Sequence, residues 1–197
     1  MKNYLLSSVL TGALLFSGSA MAEVEHYKFD AVHSQVIFFV NHLGFAKSEG
    51  EFLEFDGDLY IDRENLANSN VNVVVKAESI DMDNEKWDNH MKNADFFNVP
   101  EFPVMTFKSN NVVLTGDNTA EVHGDLTILG ITKPLVLYTT HNKSGVHPFS
   151  GKDHIGFSAT GVVKRSEYGM NYGLPNVGDE AELRIEVEAT RQDMVNE

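Results

Sequence analysis

The sequence predicts an all-β protein: an eight-stranded antiparallel β-barrel with one short helix between strands. Three observations predict it. Apolar and polar residues alternate along most of the chain, the period of a half-buried strand. Turn signals rich in Asn and Gly separate these runs at short intervals. A single window, residues 83–107, switches to a helical period.

Residues 24–29 read as a short first strand. In residues 34–41, Val36, Phe38 and Val40 share one face while Ile37 and Phe39 share the other, so the strand is covered on both sides. Residues 50–62 read as one long strand with Leu53, Phe55, Gly57, Leu59 and Ile61 facing one way. Gly57 in its middle marks a bend or a close approach to the backbone. Residues 71–79 follow an Asn-rich turn. In the helical window, Trp87, Met91 and Ala94 fall at i, i+4 and i+7, Asp83 or Asn84 can cap the start, and Pro100 and Pro103 forbid continuation. Strands then run over 104–114, 120–128, 135–141, 155–164 and 180–191, with a loop at 142–153. The last strand sets Ala181, Leu183, Ile185, Val187 and Ala189 against a charged face. These eight or nine strands close most simply into a barrel, which also removes exposed edges.

Residues 1–22 are expected to be a removed signal peptide. Lys2 gives the positive start, residues 5–16 the apolar region and Ala20-Met21-Ala22 the cleavage pattern. That directs the protein to the periplasm, and residues 23–197 form one domain without repeats or linkers. The chain has no cysteine, which excludes disulfides, thiol nucleophiles and zinc–thiolate sites. Its 29 Asp and Glu against 15 Lys and Arg argue against nucleic acid, anionic lipid surfaces and stable membrane insertion.

The interior decides function. Large inward residues (Phe38, Phe55, Phe107, Phe157) alternate with small ones (Gly57, Ala159, Gly161, Ala181, Ala189). Two readings stay open: other side chains fill the gaps, or the barrel keeps an apolar cavity. The expected wall of such a cavity is Phe38, Val40, Phe55, Phe107, Ile128, Leu137, Phe157, Ala159 and Met170. No catalytic set emerges. His33-Ser34 points to opposite faces of a strand, Ser166 lacks the Gly-x-Ser-x-Gly setting, and His33, His42 and His90 read as structural rather than as metal ligands.

Several runs carry a family resemblance: Asp30-Ala-Val-His33-Ser34, His42-Leu-Gly44, Asp88-Asn-His90-Met91, Ala94-Asp95-Phe96-Phe97, Gly124 through Pro134, Ile155-Gly156-Phe157 and Arg165-Ser166-Glu167-Tyr168-Gly169-Met170. In order and spacing the chain resembles the YceI-like polyisoprenoid-binding family of exported lipocalin-like barrels over residues 25–190. The resemblance implies a non-enzymatic protein without cofactor that holds a long isoprenoid, either a polyprenyl phosphate or a ubiquinone-type tail. Arg165, Ser166 and Tyr168 are then candidates for a polar mouth. Two positions depart from the family pattern: Trp87, where an arginine is common, and Leu129, where a polar residue is common. The alternatives are a filled barrel acting as a stress or interaction protein, and a lipid-acting hydrolase or isomerase. The sequence leaves the oligomeric state open, a homodimer included.

Overall fold

The computed structural model describes residues 24–192; the expected signal peptide lies outside them. Eleven antiparallel strand segments appear: β1 (Val24–Phe29), β2 (Gln35–His42), β3 (Ala46–Phe52), β4 (Phe55–Asp62), β5 (Asn70–Lys76), β6 (Ile80–Asp81), β7 (Val104–Leu114), β8 (Thr119–Ile128), β9 (Ile131–Val146), β10 (Asp153–Lys164) and β11 (Val177–Arg191). Pairing runs β1-β4-β5-β7-β8-β9-β10-β11 and returns from β11 to β1. The barrel is closed and eight-stranded.

The three remaining segments continue strands already in the ring. β2 pairs with the first half of β11 and β1 with its last residues, so β1 and β2 are one long strand interrupted at residues 30–34. By the same logic β3 continues into β4 and β6 extends β5, because β3 pairs with β2 and β6 with β3. Local polar groups make the breaks. Asp30 accepts from the backbone N–H of Val32 at 3.0 Å and pairs with His33 at 2.8 Å. Ser79 accepts from Leu53 through its carbonyl and from Glu54 through its hydroxyl, at 3.0 and 2.9 Å. Residues 50–62 are therefore two segments rather than the single strand expected, because Leu53 and Glu54 turn outward to meet Ser79.

Two further corrections concern the helix and the 142–153 loop. Helix α1 (Glu85–Met91) begins at Asn84, whose side chain accepts from Trp87 N at 3.2 Å. It ends at Met91, a turn earlier than the pattern suggested, so Ala94 is exposed and off the apolar face. Met91, Phe96, Phe97 and Val99 are buried instead, and Phe97 packs edge-on against Phe52 with ring centroids 5.4 Å apart. The expected 142–153 loop is mostly ladder. β9 runs on to Val146 and pairs with β10 through Asp153, leaving only residues 147–152 as a hairpin tip.

Helix α1 and the segment after it close one end of the barrel over the larger core cluster, which includes Phe38, Phe52, Met82, Met91, Phe97 and Met105. A smaller cluster of Tyr27, Leu59, Ile61, Ile155 and Ala189 lies toward the other end. Gly57 serves the close approach expected of it: a Cβ there would lie 2.6 Å from the Phe29 ring. The β8–β9 turn places Leu129 at φ 51° and Gly130 at φ 71°. Leucine in this left-handed region costs about 1–2 kcal/mol relative to an ordinary conformation. Leu129 packs against the larger core cluster, an interaction a polar residue at that position would not make.

Candidate functional site

Inward-facing residues of a filled barrel would be buried. Here many are not. Val36, Val40, Val71, Val73, Val122, Phe157, Ala159, Ala181, Leu183 and Ile185 point inward yet keep intermediate exposure, because they border an internal space. That space is a tunnel of about 660 Å³, within the range of ligand-binding cavities. Its wall is overwhelmingly aliphatic and aromatic. It reaches from Trp87, His90 and Tyr172 at the helical end to Arg63, Asn70, Asp117 and Asn118 at the far end.

Small residues divide into two kinds. Gly57 and Gly161 are covered by neighbours: the Phe29 ring lies over the first, and Leu137 Cδ2 would be 3.0 Å from a Cβ on the second. Ala189 is fully buried in the smaller cluster. Ala159 and Ala181 face the tunnel, so the missing volume opposite them is the hollow. The barrel is not filled.

Of the expected wall residues, Phe38, Val40, Phe107, Ile128, Leu137, Phe157, Ala159 and Met170 border the tunnel. Phe55 does not. It is buried at the start of β4, outside the tunnel wall. Trp87, His90, Phe96 and Phe97 also line the helical end, with the Trp87 ring 6.1 Å from that of His42.

The expected polar mouth is different in kind. Arg165 is 5% exposed. Its Nε donates to Gly178 O at 2.7 Å, Nη1 to Met170 O at 3.0 Å and Tyr172 O at 2.8 Å, and Nη2 to Val177 O at 2.9 Å. Four of its five N–H donors thus hold the loop between the 3-10 turn Arg165–Tyr168 and β11. Burial lowers its pKa, and the nearby Asp179 carboxylate opposes that shift. Ser166 donates its hydroxyl to Asp179 at 2.8 Å and its N–H at 2.9 Å. Burial alone would raise the Asp179 carboxyl. The two Ser166 bonds and the charges of Arg165 and Lys164 outweigh it and hold the group below its ordinary value. Tyr168 is buried, which pushes its phenol up to about 12. Arg165 touches the tunnel, whereas Ser166 and Tyr168 do not border it. These residues build the rim rather than offer free groups from it.

The polar rim lies at the opposite end, where sequence periodicity gave no sign of it. Arg63, Ser69, Asn70, Asp117, Asn118, Thr119, Thr139 and His141 border the tunnel there. They come from three separate parts of the chain, which only the closed barrel brings together. Arg63 is engaged: Nε donates to Glu25 at 2.7 Å and Nη2 to the Tyr27 hydroxyl at 3.1 Å. Among the described residues, no group of three or more His, Cys, Asp or Glu is placed to hold a metal ion.

Residues 27–189 match the YceI-like domain. The chain belongs to the YceI-like family. Protein YceI of Salmonella arizonae is 36% identical over 194 residues, covering 98% of this chain and 100% of that protein. Among solved structures, the YceI protein of Campylobacter jejuni superposes with a TM-score of 0.70 at 29% identity, covering 78% of this chain and 90% of that one. Burkholderia cenocepacia BcnA gives a TM-score of 0.75 at 22% identity, covering 82% and 99%. A polyisoprenoid-binding domain from Saccharophagus degradans gives 0.66 at 12% identity, covering 84% and 98%. The last two show the shared barrel fold.

Proposed function

We propose that this protein is a periplasmic carrier that sequesters a long isoprenoid chain in its tunnel without performing chemistry on it. The observation that carries the reading is the continuous apolar tunnel running the length of the barrel. Strands of 12 and 15 residues, tilted as barrel strands are, make it roughly 30–40 Å tall. A long apolar route suits a linear hydrocarbon better than a compact ligand. Each buried CH₂ is worth about 0.8 kcal/mol, so even partial burial of the chain gives tight binding. The fold shared with a polyisoprenoid-binding domain from another organism supports the same ligand class.

The head group is neutral. Arg63 and Arg165 are the cations of the lysine and arginine type in the tunnel wall. Arg165 is committed to backbone carbonyls and Arg63 to Glu25 and Tyr27. A phosphate at Arg165 would strip buried carbonyls of their donor, and at Arg63 it would compete with the Glu25 carboxylate that already balances the guanidinium charge. Asn70, Asn118, Thr119 and Thr139 at the far rim offer neutral hydrogen bonds suited to a quinone or alcohol head. A quinone-type or alcohol-type isoprenoid is therefore favoured over a polyprenyl phosphate.

Native mass spectrometry of protein purified from its source, followed by organic extraction, tests the carrier reading. A bound prenyl lipid is expected. Empty protein that also ignores added prenyl quinone would end it. Titration with a prenyl alcohol and the prenyl phosphate of equal length tests the head group. Equal or tighter binding of the phosphate would overturn neutrality and leave the carrier intact.

A further inference from the structure

We infer that the β9–β10 hairpin is a docking element that turns the far mouth of the tunnel toward an anionic lipid bilayer. Phe149 at its tip is 93% exposed, and Val146 beside it is exposed as well. The tip is built to hold Phe149 out. His147 N donates to Lys152 O at 2.8 Å, and Gly151 N donates to His147 O at 2.9 Å. The His147 imidazole accepts from the N–H groups of Phe149 and Ser150 through Nδ1, at 3.4 and 3.2 Å. An ordered turn keeping a phenylalanine in water forgoes the hydrophobic free energy that burying the ring would return.

Charge selects the partner. The formal charge of −14 argues against anionic lipid as a partner for most of the surface, yet residues 141–154 hold Lys143 and Lys152 against the single acid Asp153. Asp153 lies 3.8 Å from Arg191, which offsets part of its charge. Both lysines are exposed. A locally basic hairpin with an apolar tip suits a surface of anionic lipid, which attracts lysines close to the interface. A proteinaceous partner would be expected to offer a pocket for Phe149 and acids for the lysines; a bilayer supplies both without specificity.

Position completes the case. Thr139 and His141 at the base of the hairpin border the tunnel, and His141 N donates to Asn118 O of the far rim at 2.7 Å. From His141 the strand projects about 20 Å to the tip at 3.3 Å per residue. A prenyl chain crossing open water would expose every methylene, and a hairpin anchored in the bilayer shortens that crossing. Docking rests on the carrier reading only for its purpose; the surface itself can be tested alone.

The test is flotation of the intact protein with vesicles of mixed phosphatidylcholine and phosphatidylglycerol, and with phosphatidylcholine alone. Binding to the mixed vesicles that weakens in high salt is expected. F149D should lower it about tenfold or more, as loss of a buried phenyl ring implies. The pair K143E and K152E together should remove the preference for phosphatidylglycerol. F45D changes an equally bare phenylalanine, 90% exposed on the β2–β3 turn at the acidic end, and should change nothing. Wild-type protein that stays off the mixed vesicles, or an F149D protein that floats like wild type, overturns the inference. So does a loss with F45D as large as that with F149D. Binding of a fluorescent prenyl quinone delivered from detergent is measured on each protein in parallel. If that binding is present while flotation is absent, docking has failed and the carrier reading stands; the reverse result sinks only the carrier reading.

Discussion

The two ends of the barrel are built by opposite rules. At the helical end, residues 78–101 set seven acids against Lys86 and Lys92, and buried Met91, Phe96 and Phe97 fill the opening from one continuous stretch of chain. At the far end no single segment closes anything. The rim is shared among the residues before β5, the β7–β8 turn and the base of the β9–β10 hairpin, and its groups are mostly neutral and polar. The difference gives the tunnel a direction. An apolar plug suits the terminus of a hydrocarbon tail, and a polar rim suits a head group.

The largest expected effect breaks the helical end. Arg165→Met would leave the carbonyls of Met170, Tyr172, Val177 and Gly178 without their donor, inside a loop that packs Tyr172 against His90 at 5.0 Å. Hydrogen bonds to a charged group contribute about 1.5–3 kcal/mol each before relaxation, and their losses overlap, so a destabilisation of about 4 kcal/mol is expected. Urea unfolding followed through Trp87 measures it, since this is the chain's only tryptophan. A loss below about 1 kcal/mol would mean that the loop is held by packing instead.

How much of this was legible in the sequence follows the same division. The strands, helix α1, its Asn84 cap and most of the tunnel wall could be read because period-2 and period-3.6 patterns report which side of an element meets the core. Phe55 shows the limit: the pattern places it on the inward face, but whether an inward residue meets a hollow or a neighbour depends on the closed barrel. Arg165 shows another. Its partners are backbone carbonyls 5 to 13 residues away, and no side-chain pattern marks an arginine that donates to main chain. The far rim was illegible because its residues lie on separate turns and strands joined only by barrel closure. The 142–153 stretch looked like loop because Gly145, Pro148 and Gly151 are turn residues, yet Gly145 lies within the ladder opposite His154.

A middle-sized effect sharpens the contrast between filled and hollow positions on one strand. Gly161 and Ala159 sit two residues apart on β10, facing the same side. A side chain at Gly161 would press on Leu137 and the Val136 carbonyl, within 3.0 and 3.3 Å of its Cβ. Gly161→Leu is therefore expected to cost about 2–3 kcal/mol as overpacking. Ala159→Phe projects into the tunnel, so stability should move by less than about 1 kcal/mol while the lost volume displaces several methylenes and weakens prenyl quinone binding at least tenfold, by about 0.8 kcal/mol each. Thermal melts and ligand titrations on the two variants check the pair. If both unfold alike, the hollow opposite Ala159 is not there.

The smallest effect concerns acid. Asp179 sits at the start of β11, where Ser166, Arg165 and Lys164 keep its carboxyl below the ordinary value against the opposing effect of burial. Its folded pKa is thus lower than its unfolded one, so its contribution is fully present above the unfolded value of about 3.9 and is lost as pH falls through the lower, folded value. The helical-end loop should loosen over that interval. Asp179→Asn removes the titration while keeping an oxygen that can accept from Ser166. The wild-type unfolding midpoint should then fall more steeply with acid than that of the variant, with amide exchange in residues 170–178 localising the difference. Carboxyls at the far end, Glu25, Asp58 and Asp62, are also held below their ordinary values and contribute the same slope to both proteins. The comparison cancels them. Two proteins with parallel acid profiles would mean that Asp179 contributes nothing to the loss of stability in acid.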